Sequence, residues 1–208
     1  MTDVPPEAAT PAKPPRPWTV TTAVVLQILL ALFLVAQSAI TLMYSADSAH
    51  AADAELEDQG FTGSDLPEGT SFEGDPVSVG VPVLIALFLI VLALFNAAGK
   101  RPARIVTWVV QPIVLICGGF AAVSSFFLAS FLEAGIEAEG GPEDLDVQAV
   151  VDAALGVYPA WTDVVTYGAA VLATFGSIAI IILLAVPSAN AYFRKPVQQT
   201  HIPGAPPA

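Results

Sequence analysis

The chain has 208 residues, of which 55% are hydrophobic and 12% are charged, and its formal net charge is -12. Soluble domains carry about a quarter of their residues as charged side chains, so this composition excludes an ordinary soluble domain and indicates a membrane protein. Seventeen of the nineteen acidic residues lie in two segments without Lys or Arg, and the seven basic residues form three clusters that alternate with them. Such acidic segments argue against nucleic acid as a partner.

The first segment, residues 1–17, contains six prolines. This composition predicts a disordered, Pro-rich cytoplasmic tail that cannot form a core. The stretches Pro11–Pro14 and Pro14–Pro17 have the PxxP spacing that SH3-type domains recognise. Proline density alone produces such matches, so a simple spacer is the preferred interpretation.

The first predicted span covers about residues 18–45. As a helix this uncharged stretch measures about 40 Å, which exceeds the roughly 30 Å hydrocarbon core of a bilayer. The Ala-rich stretch 46–59 is expected to continue the helix outward, with Gly60 as its stop. A signal peptide cleaved after Ala51 is an alternative, but the apolar run of more than about twenty residues far exceeds the roughly 7–15 residues of a usual signal-peptide h-region, which favours a retained span.

The first acidic loop, residues 46–76, contains nine carboxylates, several of them among glycines and prolines. Carboxylates in a glycine-rich loop suggest calcium binding. The spacing lacks the alternating D-x-D-x-D-G register that surrounds one ion, however. A solvated acidic surface is therefore the preferred interpretation.

Two further spans are predicted at about residues 77–98 and 105–131, joined by the basic inner turn 99–104. Three of the seven Lys and Arg residues lie in this turn. Cytoplasmic loops carry an excess of such residues, so the turn is expected to face the cytoplasm. Asn96 is expected at the cytoplasmic boundary, where water satisfies its amide, and Pro112 is expected to kink the third span.

The second acidic loop, residues 132–163, contains a short amphipathic helix. Apolar residues recur there at i, i+3, i+4, i+7 and i+8, beginning with Val147. Pro142 and the two acids after it suit the first turn of this helix, and Gly156 suits its end. Because its polar face is acidic, anionic lipid is a poor partner, and the helix is expected to pack over the outer ends of the spans.

The last predicted span covers about residues 164–187 and is followed by a cytoplasmic tail, residues 188–208. Aromatic and basic side chains occur together at Tyr192–Lys195, as they do where helices leave the membrane on the cytoplasmic side. The predicted fold class is therefore all-α. The chain is expected to be a multi-pass protein of the cell membrane with four transmembrane helices, both termini in the cytoplasm and acidic extracellular loops.

Contacts inside the bundle can be predicted from the helical phase of small and polar residues. Nine such residues share the faces that are expected to meet: Gln27 and Ser38 in the first span, Gln111, Gly118, Ala122 and Ser125 in the third, and Ala169, Ala173 and Ser177 in the fourth. An unpaired amide in lipid costs several kcal/mol, so Gln27 and Gln111 are expected to face inward and to pair directly or through water. Small residues allow two helix backbones to approach closely.

The four predicted spans contain no Asp, Glu, Lys, Arg or His. Proteins that move ions or protons place such residues in their spans, so a pump, a proton-coupled transporter or a charged-ring channel is not expected. The intramembrane serines have no histidine or lysine base at the same depth, which argues against serine hydrolysis. Cys117 is the only cysteine, and His50 and His201 lie in opposite segments, so no metal site or cofactor is expected. The chain is not expected to be an enzyme.

Arg16-Pro17 before the first span and Lys100-Arg101-Pro102 before the third, together with the Pro-rich head, give an arrangement that resembles the uncharacterised four-span integral membrane proteins of high-GC bacteria. The resemblance covers most of the chain in topology and composition and implies no activity. The leading hypothesis is an interaction or accessory protein of the cell envelope, in contact with the lipid bilayer and with a membrane-protein partner or a second copy. The alternative is a channel or carrier for a neutral or weakly polar solute, lined by Gln27, Gln37, Gln111, Ser124 and Ser125.

Overall fold

The computed structural model describes residues 15–67 and 76–194, and the regular structure within those residues is helical. Four helices are long and apolar enough to cross a membrane. This confirms the predicted all-α class with four transmembrane helices. The predictions for residues 1–14, 68–75 and 195–208, including most of the Pro-rich tail, lie outside the described residues.

Eight α-helices follow one another along the described chain. They are α1 (Trp18–Asp58), α2 (Pro76–Ala97), α3 (Arg101–Phe126), α4 (Leu128–Ala138), α5 (Val147–Gly156), α6 (Trp161–Val171), α7 (Ser177–Ala185) and α8 (Pro187–Tyr192). The first three spans are α1, α2 and α3. A π-helical turn, Leu172–Gly176, joins α6 to α7, so that the fourth span runs continuously over Trp161–Ala185.

The first helix is much longer than a membrane crossing requires. It contains 41 residues, which correspond to about 60 Å, or about twice the thickness of the hydrocarbon core. Its C-terminal part therefore projects out of the membrane, as predicted from the Ala-rich stretch. The helix ends just before Gly60, whose φ of 85° is a left-handed conformation that glycine adopts without strain.

The projecting part of α1 packs with α4 and α5 to form a folded unit outside the bundle of four spans, which for that reason we call the outer platform (residues 46–67 and 128–156). One apolar cluster joins α1 to α5 and contains Ala52, Leu56, Val150 and Ala154. A second cluster joins α4 to α5 and contains Ile136, Val147 and Val151. Four residues of the predicted apolar stripe, Val147, Val150, Val151 and Ala154, are therefore buried against other helices, whereas its last residue, Leu155, is 51% exposed.

The helix of the third span begins at Arg101 and ends at Phe126, both earlier than the predicted 105–131, and a separate helix follows it. Phe127, with φ of -113° and ψ of 21°, breaks the helix after Phe126, and α4 begins at Leu128. Leu128 and Leu132 pack against the apolar cluster that α4 shares with α5. These two leucines therefore pack in the outer platform, whereas Phe131 of the same helix is 54% exposed.

The amphipathic helix begins at Val147 and not at Pro142. Its N-cap is Asp146, whose carboxylate accepts a hydrogen bond from the Ala149 backbone N–H at 3.0 Å. Gln59 holds the same residue, because its Oε1 accepts from the Asp146 backbone N–H at 2.8 Å and its Nε2 donates to the Asp146 carbonyl at 3.3 Å. The helix start is thus fixed by a cap and by a contact with the end of α1.

At the other end of the bundle, α8 connects the ends of the spans. Three hydrogen bonds link it to the first, second and third spans: Ser188 Oγ with Thr19 Oγ1 (3.3 Å), Tyr192 Oη to the Ala97 carbonyl (2.8 Å), and Arg104 Nη1 to Asn190 Oδ1 (2.9 Å). The predicted tail 188–208 therefore begins with a packed helix. The described basic residues Arg16, Lys100, Arg101, Arg104 and Arg194 all lie at this end, which we call the basic end.

Candidate functional site

Five polar side chains from all four spans are completely buried inside the bundle. We call this set the buried polar cluster: Gln27, Asn96, Thr107, Gln111 and Ser177, each with 0% of its surface exposed. A buried polar group that lacks a hydrogen-bond partner costs about 1–3 kcal/mol. This cost directs such side chains toward one another and away from lipid.

Asn96 is the centre of the first hydrogen-bonded group. Its Nδ2 donates to Gln27 Oε1 at 3.1 Å and to Thr107 Oγ1 at 2.8 Å, so both amide hydrogens are used. The Thr107 hydroxyl then donates to the Ala103 carbonyl at 2.9 Å. The group therefore connects the first three spans through neutral side chains.

The expectation that water satisfies the Asn96 amide was wrong, because Asn96 is not exposed. The helix α8 explains the difference. Tyr192 and Phe193 are 8% and 2% exposed and pack with Ala93, one turn before Asn96 in α2. They cover the end of α2 and exclude solvent from a position that would otherwise lie near the membrane boundary.

Gln111 forms the second group, with the fourth span. Its Nε2 donates to Ser177 Oγ at 2.9 Å. Ser177 is the first residue after the π-helical turn Leu172–Gly176. Such a turn contains one extra residue and rotates the residues that follow it about the helix axis, and π turns are frequent at functional sites. The turn therefore helps to aim Ser177 at Gln111.

The sequence predicted that Gln27 and Gln111 pair either directly or through water. The direct hydrogen bond is not formed, because each glutamine has another partner. Among the described residues, Gln27 Nε2, Asn96 Oδ1 and Gln111 Oε1 are buried without a hydrogen-bond partner. One donor and two acceptors thus remain inside the bundle, and pairing through water stays a prediction. Neutral amides and hydroxyls can bind and orient a small polar molecule by hydrogen bonds.

The third and fourth spans approach closely at Gly118. A Cβ atom at this position would lie 2.5 Å from Ala173 Cβ, well inside the contact distance of about 3.5–4.0 Å between carbon atoms. Ala169 and Ala173 are 5% and 7% exposed. The structure therefore brings Gly118 and Ala173 together at a point where only glycine fits.

The remaining residues of the predicted packing faces lie elsewhere. The Ser38 hydroxyl donates to the Leu34 carbonyl of its own helix at 3.1 Å and to the Val79 carbonyl of α2 at 3.3 Å, so it faces the second span. Ser125 is exposed, and its hydroxyl donates to the Ala122 carbonyl at 2.8 Å. The predicted face of α3 thus contacts a helix at Gly118 but diverges from its neighbours toward Ser125.

A cavity of about 140 Å³ lies where α3 diverges from the first and fourth spans. Alanine and glycine form most of its wall, and its polar groups come from Gln37, Ser125 and Thr166. This volume holds a few water molecules or a small solute. The residues that line the cavity do not include Gln27 or Gln111.

Thr107 and the burial of Asn96 were missed by the sequence reasoning. Thr107 lies one helical turn before Gln111 and on the same face, and this spacing was the available signal. The burial of Asn96 depends on α8, which is remote in sequence, so no local pattern reveals it.

Comparison with protein-family models, with curated proteins and with solved structures found no match. A functional assignment therefore depends on what the chain itself presents. The described residues offer two features for this purpose, the acidic outer platform and the neutral cluster inside the bundle.

Proposed function

We propose that this chain is an integral membrane interaction or accessory protein of the cell envelope, without catalytic activity, and that its outer platform is the recognition surface. The observation that supports this most is that the platform is folded. Three helices share two apolar clusters there, and the Ser48 hydroxyl donates to the Ala154 carbonyl at 2.9 Å. A pre-organised surface loses less conformational entropy on binding than a flexible loop.

The platform also carries charge of one sign. The chain has no Lys or Arg from residue 17 to residue 99 or from residue 105 to residue 193, while exposed carboxylates occur on α1, α4 and α5. A surface of this kind attracts a basic surface and repels an acidic one. The proposed partner is therefore a membrane protein with a basic docking surface. A second copy of the chain would present the same repelling platform.

Site-specific photo-crosslinking in native membranes tests this function. A photoreactive residue at exposed Ala138 of the platform should give one defined protein adduct, identified by mass spectrometry, and the same residue at lipid-exposed Leu87 should not. Replacing Glu57, Glu137 and Glu139 with Gln should abolish the adduct, whereas replacing all three with Asp should preserve it. Equal yields from the two triple variants, or no adduct above the Leu87 level, would contradict the proposal.

We further propose that the basic end faces the cytoplasm. The support is the excess of Lys and Arg that cytoplasmic loops carry. On a Cys117→Ser background, Ser64→Cys and Glu139→Cys should react with a membrane-impermeant thiol reagent in intact cells. Ala98→Cys and Thr200→Cys should react only after the membrane is opened. Labelling of the second pair in sealed cells would reverse the orientation.

A channel or carrier for a neutral or weakly polar solute is the second candidate function. The cavity beside Gln37 and Ser125 and the unpartnered atoms of Gln27 and Gln111 favour it. Solute flux into liposomes that contain only this protein tests it. Flux that disappears in Gln111→Leu would support transport and would leave the interaction function incomplete, and its absence with a panel of neutral solutes would argue against transport.

A further inference from the structure

A groove at the basic end lies between the start of the third span and the end of the fourth. Its volume is about 380 Å³, and it is lined by Arg101, Arg104, Ile105, Trp108, Ala185 and Asn190. The polar part of this wall comes from the two arginines and Asn190. The groove is separate from the outer platform and from the buried polar cluster.

The Arg104 guanidinium is held in place inside this groove. Its Nη1 donates to Asn190 Oδ1 at 2.9 Å. Its central carbon lies 4.6 Å from the ring centre of Trp108 and 5.4 Å from that of Phe193. A guanidinium has five N–H donors. Within the described part of the chain these donors have one acceptor, Asn190 Oδ1, and the Nε atom is buried without a partner. Arg104 is thus positioned but retains donors for an anion.

No carboxylate of the described chain balances the charge of the groove. Arg101 is exposed, and its side chain has no ion pair or hydrogen bond among the described residues. The sequence contains no Asp or Glu from residue 76 to residue 132 or from residue 164 to its end. Two guanidiniums in one groove, without a neighbouring acid among residues 15–67 and 76–194, are complementary to a phosphate group, which arginine recognises with paired N–H donors.

The other wall of the groove is apolar and faces the bilayer. Ile105 and Trp108 are 62% and 40% exposed, and Ala185 is the last residue of the fourth span. Arg101 and Trp108 are separated by seven residues of one helix, or about 10 Å along its axis. The groove therefore has a charged end at Arg101 and an apolar part at Ile105 and Trp108. Tryptophan is enriched at the membrane–water interface.

We propose that this groove is a binding site for an anionic phospholipid. The phosphate binds Arg101 and Arg104, and the upper part of an acyl chain lies along Ile105 and Trp108. A soluble anion would use the charged end alone and would gain nothing from the bilayer-facing wall. A phospholipid uses both parts, and basic pockets between transmembrane helices are suited to such headgroups.

Native mass spectrometry of the full-length protein in detergent tests this site. Phosphatidylglycerol and phosphatidylcholine with identical acyl chains are titrated separately, and a preference of about tenfold for the anionic lipid is expected. Arg101→Gln should reduce binding of phosphatidylglycerol about fivefold, as expected for the loss of one basic contact. The melting temperature of lipid-free Arg101→Gln should stay close to wild type, because the Arg101 side chain has no hydrogen bond or ion pair among the described residues. Arg104→Lys retains the charge but loses the planar fork that contacts Asn190 and the two rings, so it should weaken both lipid binding and the contact with α8.

Matched controls separate this site from general attraction to a basic surface. Arg16→Gln and Arg194→Gln each remove one exposed charge from the basic end without altering the groove, and they should leave binding unchanged. Equal binding of the two lipids, or an equal loss in these controls and in Arg101→Gln, would overturn the proposal. Displacement of phosphatidylglycerol by millimolar inorganic phosphate would also overturn it, because the site would then serve a free anion.

Discussion

The contact between Gly118 and Ala173 permits a sharp test of how the third and fourth spans pack. Gly118→Ala adds one methyl group, whose carbon would lie 2.5 Å from Ala173 Cβ. The two carbons require about 3.5–4.0 Å, so the backbones must separate by about 1 Å or rotate. The adjacent Gly119 is a matched control, because a Cβ there would meet only Thr174 Cγ2, at 3.8 Å.

The expected difference between the two alanine variants follows from two terms. Both substitutions replace a helical glycine and gain roughly 1 kcal/mol of helix propensity, so this gain cancels in the comparison. Overpacking a close contact costs about 1–3 kcal/mol. Gly118→Ala should therefore be less stable than Gly119→Ala by about that amount. The double variant Gly118→Ala/Ala173→Gly moves the methyl group to the other helix, and it should recover the steric loss.

Thermal unfolding in a single detergent, followed by tryptophan fluorescence, measures these differences. For chains of about this length, 1 kcal/mol corresponds to a shift of roughly 2–4 °C in the midpoint. Gly118→Ala should thus melt several degrees below Gly119→Ala. The reasoning is refuted if Gly118→Ala melts at or above Gly119→Ala. A double variant that remains as unstable as Gly118→Ala would place the steric conflict elsewhere.

Two further predictions concern single hydrogen-bonded groups. Thr107→Val keeps the shape of the side chain but removes the acceptor for Asn96, so it should lower the free energy of unfolding by about 1 kcal/mol. The control Thr41→Val loses only a hydrogen bond within its own helix, so it should lower the free energy of unfolding by less in the same melting assay. The hydroxyl and the backbone N–H of Thr62 donate to the Asp65 carboxylate, each at 2.8 Å, and these bonds lower the pKa of Asp65. The stabilisation from these two hydrogen bonds is therefore complete above the unfolded-state pKa of about 3.9 and disappears as the pH falls through the lower pKa of folded Asp65. An NMR titration of Asp65 that finds a midpoint at or above the unfolded-state pKa would contradict this contact.

The number of spans, the outward projection of α1 and the amphipathic helix could be predicted from the sequence. Each depends on a local pattern of residues along the chain and not on contacts between distant segments. Uninterrupted apolar runs determine where a chain can cross a bilayer. Gly60 ends the first helix through its own backbone freedom, and the spacing that begins at Val147 defines a helix face without any knowledge of its partner. The small residue at Gly118 indicated a close contact for the same reason.

Partner choice was decided by the tertiary structure. The sequence could place Gln27 and Gln111 inside the bundle through the cost of an unpaired amide, but which acceptor or donor each one meets depends on the rotation of every span. The π-helical turn Leu172–Gly176 changes that rotation just before Ser177, and α8 buries Asn96 from a position about ninety residues further along the chain.

The groove at the basic end exists for a similar reason. The sequence showed Arg101 and Arg104 as part of a basic turn, which by itself indicates only which side of the membrane the turn occupies. The groove needs α8 to fold back so that Asn190 accepts from Arg104, and it needs the end of the fourth span to lie beside Trp108. Residues far apart in sequence can form such a site only after the spans have packed, since local propensity carries no information about contacts between separate helices.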